Sequence, residues 1–400
     1  MDKTPVLTIW LSHKYIGESD AYAEFRLPAT DYELREALKR ADLREGDAAY
    51  CEILEYTRFP YLEYFLEGTE DLYGLNALAK KLGALEDWQA DAFEGLVLME
   101  EAKGESVGIP RLYDLAASTE VCQVLYAVKN DEELGHFYVD NDFVPETEDI
   151  PEALYKFLDY AKIGKEYREG EGGVFLRRGS GYVTQTGDLK EEFKDLDLTP
   201  KEPDYAVLLE VAVPDTEVSV MLKLPCEPAE LETVPDLAGA DSWADLTWRC
   251  ADCRAPSLAD AFSTAESIAL VNSAAGQLEA LSEEDIHKLQ GLSKALGITR
   301  LEDVTRLIGR LGEYLLVTQS SSSVELARHF LNEQLPSGDV EVLLSHMDCS
   351  GFVDDILKRN GSELTPYGLL ERRDGEPVVP KQEQGIQNQG RMEMRGYDAL

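Results

Sequence analysis

Basic side chains are scarce in this 400-residue chain. Its 38 Lys and Arg face 78 Asp and Glu, leaving a formal charge of -40 and a sequence pI near 4.4. A surface of that sign repels phosphates, which excludes direct nucleic-acid binding by charge neutralisation. Long apolar runs are missing as well. No stretch approaches the ~20 residues that cross a bilayer, and MDKTPVLTIWLSHKYIG at the start has no uninterrupted apolar segment with a small-residue cleavage site. A cytoplasmic protein without membrane contact is therefore expected. The cysteines, Cys51, Cys122, Cys226, Cys250, Cys253 and Cys349, are too sparse for a disulfide framework. Cys250 and Cys253 form one CxxC, but a structural zinc site takes four ligands, and no second pair or nearby histidine completes it.

Catalytic spacings are missing too. HExxH, GxxxxGK[ST] and GxSxG do not occur, and EGEGG at 169–173 and GSGYVTQTG at 179–187 fail the phosphate-loop spacing and read as turns. His13, His136, His287, His329 and His346 stand at no ligand spacing. Close carboxylate pairs arise by default among so many acids, so they do not diagnose acid–base chemistry. A non-enzyme without cofactor or metal is expected.

What the chain holds in quantity is acid and aromatic together. Nineteen Tyr, 12 Phe and 44% hydrophobic residues exclude a disordered polyanion. Residues 51–150 carry 23 acids and 6 bases among many apolar side chains, so folded surfaces must bear the charge. The halves are alike: residues 1–200 hold 43 acids and 21 bases, residues 201–400 hold 35 and 17. Only the Gln/Gly-rich end, 377–400, is expected to be disordered.

Self-comparison reveals an internal repeat. Leu27-Pro28 and Glu33-Leu34 recur as Leu224-Pro225 and Glu230-Leu231; LNALAKKLGALEDWQADAFEGL from Leu75 matches VNSAAGQLEALSEEDIHKLQGL from Val271, pairing Asn76 with Asn272 and Gly95 with Gly291. Arg111-Leu112 then pairs with Arg300-Leu301, and Glu133-Leu134 with Glu325-Leu326. Four matches in one order imply two related units, about 5–195 and 203–373. Within the first, 7–13, 21–28 and 48–56 alternate as strands around a helix beginning at Asp31. Residues 71–118 have helical periodicity. VCQVLYAV at 121–128 returns to strand, followed by a helix over EELGHFYV and another over PEALYKFLDYAKIGKEYRE. The expected fold is an elongated, multi-module α+β chain duplicated in tandem. Its modules are a small antiparallel-sheet module (1–70), a helical module (71–118) and a mixed α/β module (119–198), then 199–258, 259–312 and 313–376 in the same order.

The candidate functional residues are carboxylates. On a helix wheel at about 100° per residue from Asp87, Asp91, Glu94 and Glu101 gather within about 40° of it, while Trp88, Ala92, Leu96 and Met99 lie on an apolar arc. Like charges at such spacing cost a few tenths of a kcal/mol per pair, so helix stability does not account for the row. Two readings stay open: a solvated face of an acidic protein, or an anion array shaped for a cationic partner. Further candidates are Glu52, Glu55, Glu63, Glu67, Glu70 and Asp71 in CEILEYTRFPYLEYFLEGTED, and Asp140, Asp142, Glu146, Glu148 and Asp149 in VDNDFVPETED. Forty charges match about 68 Å of B-DNA axis, or roughly 20 base pairs.

Several stretches resemble the ArdA antirestriction proteins: LTIWLSHKYIGESDAYAEFRLP, EILEYTRFPY with LNALAKKL downstream, and IPEALYKFLDYAKIGKEY around Asp159-Tyr160 with the later Gly181-Tyr182-Val183. The resemblance covers most of unit one and, more faintly, unit two. It implies elongated three-module α+β units that mimic bent B-form DNA and occupy the DNA site of a type I restriction-modification enzyme, with Asp159 among the mimicking carboxylates. Family members are usually single units that dimerise, so a pseudo-dimer within the chain, or a homodimer, is expected. Unit two is degenerate: His346-Met347-Asp348-Cys349 replaces the Lys156–Tyr160 segment, and residues 251–300 hold 7 acids against 4 bases. Other targets remain open, among them a CRISPR effector. So does an acidic scaffold or adaptor of a mobile element.

Overall fold

The computed structural model describes residues 5–14, 21–43, 47–104, 107–145, 151–177, 179, 181–216, 218–318, 320 and 322–379. Candidates Glu146, Glu148 and Asp149, and the tail from 380, lie outside the described residues.

Alternation in LTIWLSH makes β1 (Leu7–His13), with Leu7, Ile9 and Leu11 fully buried and Thr8, Trp10 and Ser12 on the other face. β2 (Tyr22–Leu27) pairs antiparallel with it. Next comes α1 (Asp31–Arg40), started by a capping box in which Thr30 accepts from the Glu33 amide and Glu33 reaches back to Thr30. β3 (Ala49–Tyr56) and the short β4 (Gly68–Thr69) complete the sheet order β2-β1-β3-β4. Three helices follow, α2 (Leu72–Gly83), α3 (Asp87–Lys103) and α4 (Ile109–Ala117). Sheet and helices share one core, with Leu27, Leu62, Leu75, Phe93 and Leu112 all buried in it. The expected sheet and helical modules are thus packed as one body. Asn76 joins them: its side-chain oxygen accepts from the Ala29 amide at 2.8 Å and its NH2 donates to the Ala29 carbonyl at 3.0 Å.

The rest of unit one builds a second core. β5 (Cys122–Leu125), α5 (Asp131–Asp140), α6 (Tyr160–Glu171), β6 (Val174–Phe175) and β7 (Tyr182–Gln185) enclose Val128, Leu134, Tyr138, Val139 and Tyr182. The sheet order is β5-β7-β6. The helix expected over PEALYKFLDYAKIGKEYRE is divided into a 3-10 turn at Glu152–Phe157 and α6. Asp159 divides it: its carboxylate accepts from the Lys162 amide at 3.1 Å and starts a new helix there.

Unit two repeats this order: β8 (Val207–Ala212), β9 (Ser219–Leu224), α7 (Pro228–Ala238), β10 (Thr247–Cys253), the extra turn α8 (Ala259–Ser263), α9 (Ile268–Ala280), α10 (Glu283–Leu296), α11 (Leu301–Ile308), β11 (Tyr314–Thr318), α12 (Ser323–Asn332), α13 (Ser337–Leu344), α14 (Cys349–Asn360), β12 (Glu363–Thr365) and β13 (Gly368–Arg372). The correspondence extends to single contacts. Asn272 clamps Cys226 with 2.9 Å bonds in both directions, as Asn76 clamps Ala29. Leu27-Pro28 and Leu224-Pro225 are both cis. Gly95 lies against Val183 of β7 and Gly291 against Leu370 of β13, with no room for a Cβ in either place. Asp348 caps α14 as Asp159 caps α6. Arg58 reaches the Leu82 carbonyl and Asp87, and Arg254 reaches the Leu278 carbonyl and Glu283.

The units meet head to tail. The solvent side of α1 in unit one packs on β10 and α10 of unit two. Thr30 donates to Asp252 at 2.7 Å, the Tyr32 hydroxyl donates to the Tyr205 carbonyl at 2.6 Å, and the Tyr367 hydroxyl donates to Glu36 at 2.6 Å. Lys39 lies 3.6 Å from Glu283 and 3.5 Å from Nδ1 of His287. The contact therefore joins two different surfaces and lacks the two-fold relation of a pseudo-dimer. In unit two the matching positions on α7, Ala229, Glu232, Thr233 and Asp236, are exposed.

Candidate functional site

The carboxylate row on α3 forms, but it is partly neutralised from within the chain. Arg58 pairs with Asp87 at 3.3 Å. The Arg177 amide donates to Glu94 at 3.0 Å, and its guanidinium pairs with Glu101 at 2.6 Å. A row without cationic partners, as read from the helix alone, is corrected accordingly: its partners come from positions 29 residues before and 76 residues after. The apolar arc also needs amendment at Trp88, which is exposed and whose Nε1 donates to Glu86 at 2.8 Å. Asp87 remains fully exposed, while Asp91 and Glu94 are half-buried.

Other candidates divide into outward-facing acids and structural ones. Glu52 and Glu55 project from one face of the sheet because Leu54 is a bulge residue: β1 pairs Thr8 with Glu55 and Ile9 with Ile53, while Trp10 pairs with Glu52. Glu24, opposite Trp10 on β2, joins the same face, together with the exposed rings of Trp10, Tyr22 and Tyr50. Alternation along β2 could have found Glu24. Glu63 and Glu67 are exposed on and after the 3-10 turn Pro60–Tyr64. Among the described residues none of Glu52, Glu55, Glu63 and Glu67 has an ion-pair partner.

Asp71 and Asp159 cap α2 and α6, so their oxygens are committed to helix amides. Glu70 pairs with Lys14. Asp140 sits 3.9 Å from His136, and Asp142 occupies a left-handed turn at φ 61. Glu70 and Asp71 belong to the first core and Asp140, Asp142 and Asp159 to the second, and among the described residues no ion pair or hydrogen bond links any of them to the α3 row. Glu100, absent from the candidates, is 2% exposed and bonded by Arg111 at 3.0 Å and Lys103 at 2.7 Å. The Arg111 hydrogen bond, reinforced by Lys103 against the cost of burial, holds its carboxyl below the usual range.

Most described Lys and Arg side chains are engaged in ion pairs inside the chain, for example Lys162 with Glu166, Arg168 with Asp131, Arg249 with Glu210, and Arg328 with both Glu325 and Glu341. The carboxylates in excess face solvent. Cys250 and Cys253 lie along β10 as free thiols, each donating to a backbone carbonyl two residues on, and the hydrogen bond with Cys250, together with burial, raises the Cys253 thiol. Among the described residues no group of three His, Cys, Asp or Glu side chains could hold a metal, and no helix is long and apolar enough to cross a membrane. No protein-family model matches the chain, and no curated protein matches it.

Proposed function

We propose that the protein is a DNA mimic of the ArdA antirestriction type, acting without catalysis by occupying the DNA-binding groove of a type I restriction-modification enzyme. One observation carries this reading: the described cations are largely consumed by the chain's own acids, whereas Glu52, Glu55, Glu63 and Glu67 project from neighbouring elements of unit one without an ion-pair partner among the described residues. An enzyme groove lined with Lys and Arg to neutralise phosphates would pair with such an array, and the complex would weaken as salt rises. The test is competition between the protein and labelled duplex for a type I methyltransferase core at two ionic strengths. Displacement at ~0.1 M salt that fades toward ~0.5 M is expected. Reversal of Glu52, Glu55, Glu63 and Glu67 to Lys should abolish it with the far-UV CD unchanged. Displacement that survives the reversal, or that ignores salt, overturns the reading.

A further inference from the structure

The repeat makes the contact between units a template for a second one. In unit two, the face formed by Asp252, the turn at Pro256–Leu258, and Glu283, His287 and Gln290 on α10 receives helix α1 of unit one. By the contacts already matched, the equivalent face of unit one is Glu55, the turn at Pro60, and Asp87, Asp91 and Glu94 on α3. Among the described residues no element lies over its Asp87 end: Asp87 is fully exposed and Glu55 and Pro60 are exposed, while Asp91 and Glu94 are half-buried and Glu94 accepts from the Arg177 amide at the far end. Where unit two offers one carboxylate, one neutral imidazole and one amide along its helix, unit one offers three carboxylates. The Arg58–Asp87 pair does not block the seat, because Glu283 is held by Arg254 in the same way and still takes Lys39.

The visiting helix α1 supplies a specification of its guest. Tyr32, Arg35 and Lys39 lie at i, i+3 and i+7, on one face; Lys39 meets Glu283 of α10, and Arg35 reaches the Lys201 carbonyl and Glu202 beside it. Helix α7 stands where α1 stands but carries Glu232 and Asp236 in place of Arg35 and Lys39. Like charges would oppose Asp87 and Asp91, so copies of the chain do not continue head to tail.

We propose that the Glu55–Pro60–Asp87–Asp91–Glu94 face of unit one is a seat for a helix of a partner protein that presents Arg or Lys at successive turns. This does not depend on the target being a restriction enzyme. The test gives the chain such a helix. The full-length Glu232→Arg, Thr233→Lys, Asp236→Lys variant changes only exposed positions of α7, and its α7 should enter the seat of a second copy. Because that contact is heterologous and does not close, sedimentation velocity at ~0.1 M salt should show mass growing with concentration to at least about twice the monomer, where the parent shows none. Adding Asp87→Lys and Asp91→Lys should return the parent's sedimentation. Should the triple variant lose its far-UV CD signal, the Glu232→Arg, Asp236→Lys pair reads the same outcome. A folded variant that sediments like the parent overturns the proposal, as does association that persists after the Asp87 and Asp91 reversals.

Discussion

At the scale of single residues, acids of one type divide by what surrounds them. Glu100 and Glu101 are neighbours on α3, yet Glu100 is buried between Arg111 and Lys103 while Glu101 is exposed and holds only Arg177. Glu100 accepts charge-assisted hydrogen bonds from both cations at a buried site, so Glu100→Ala should lower stability by about 2 kcal/mol in urea unfolding. Glu101→Ala should cost under about 0.5 kcal/mol. Equal effects would sink the distinction. The sign with pH follows: the Glu100 carboxyl is depressed, so its contribution is present above the unfolded pKa of about 4.3 and is lost as pH falls through the folded value. Glu100 was legible in the sequence, since it stands on the wheel opposite Asp87 among Ala92, Leu96 and Met99. Glu55 was not. Three residues from Glu52, it belongs on the opposite face of a regular strand, and only the bulge at Leu54 brings the two together.

At the scale of elements, periodicity located β1, β2, β3 and β5 and the helical stretches of unit one, because alternation and helical stripes are local, but it missed the two-residue β4 and β6, and the GSGYVTQTG segment read as a turn holds β7, the central strand of its sheet. The break before α6 was legible only as an Asp, whose capping role depends on backbone geometry. Asp159→Ala should cost about 1 kcal/mol and shorten α6, read as faster amide exchange at Lys162 and Ile163; unchanged exchange would return Asp159 to the surface acids. The crossing of α5 and α6 is set by two glycines. A Cβ on Gly164 would fall 1.8 Å from the Asp131 carbonyl oxygen, and one on Gly135 would fall 1.9 Å from that of Tyr160. Gly164→Ala must push the helices apart, at a cost of about 3 kcal/mol. Protection from exchange should vanish around Tyr138 while the core at Phe93 keeps its own. The matching positions in unit two are Ala327 and Val353, both buried, so that crossing has side chains between its helices.

At the scale of the molecule, the repeat was legible from four short matches, but the way the units meet was not. Thr30, Tyr32, Glu36 and Lys39 look like any capped helix until Asp252, Tyr367 and His287 are placed over them. That junction should respond to acid. Burial first, and then Lys39, push His287 down to about 4, with Glu283 opposing. Glu283 itself is held low: burial acts against this, but Arg254 and Lys39 outweigh it. A histidine depressed below its unfolded value of about 6.5 contributes fully above that pH, and the contribution falls away as pH drops from about 6.5 to about 4. At pH 5 the loss amounts to about 2 kcal/mol. Glu36 works in the other direction. Burial raises its carboxyl despite the Tyr367 bond, so acid relieves its cost and offsets part of the histidine effect. The two separate by substitution: between pH 7 and 5 the urea midpoint of the parent should fall more than that of His287→Gln, and Glu36→Gln should steepen the fall. If His287→Gln follows the parent through that window, the imidazole beside Lys39 is not what couples the junction to protons.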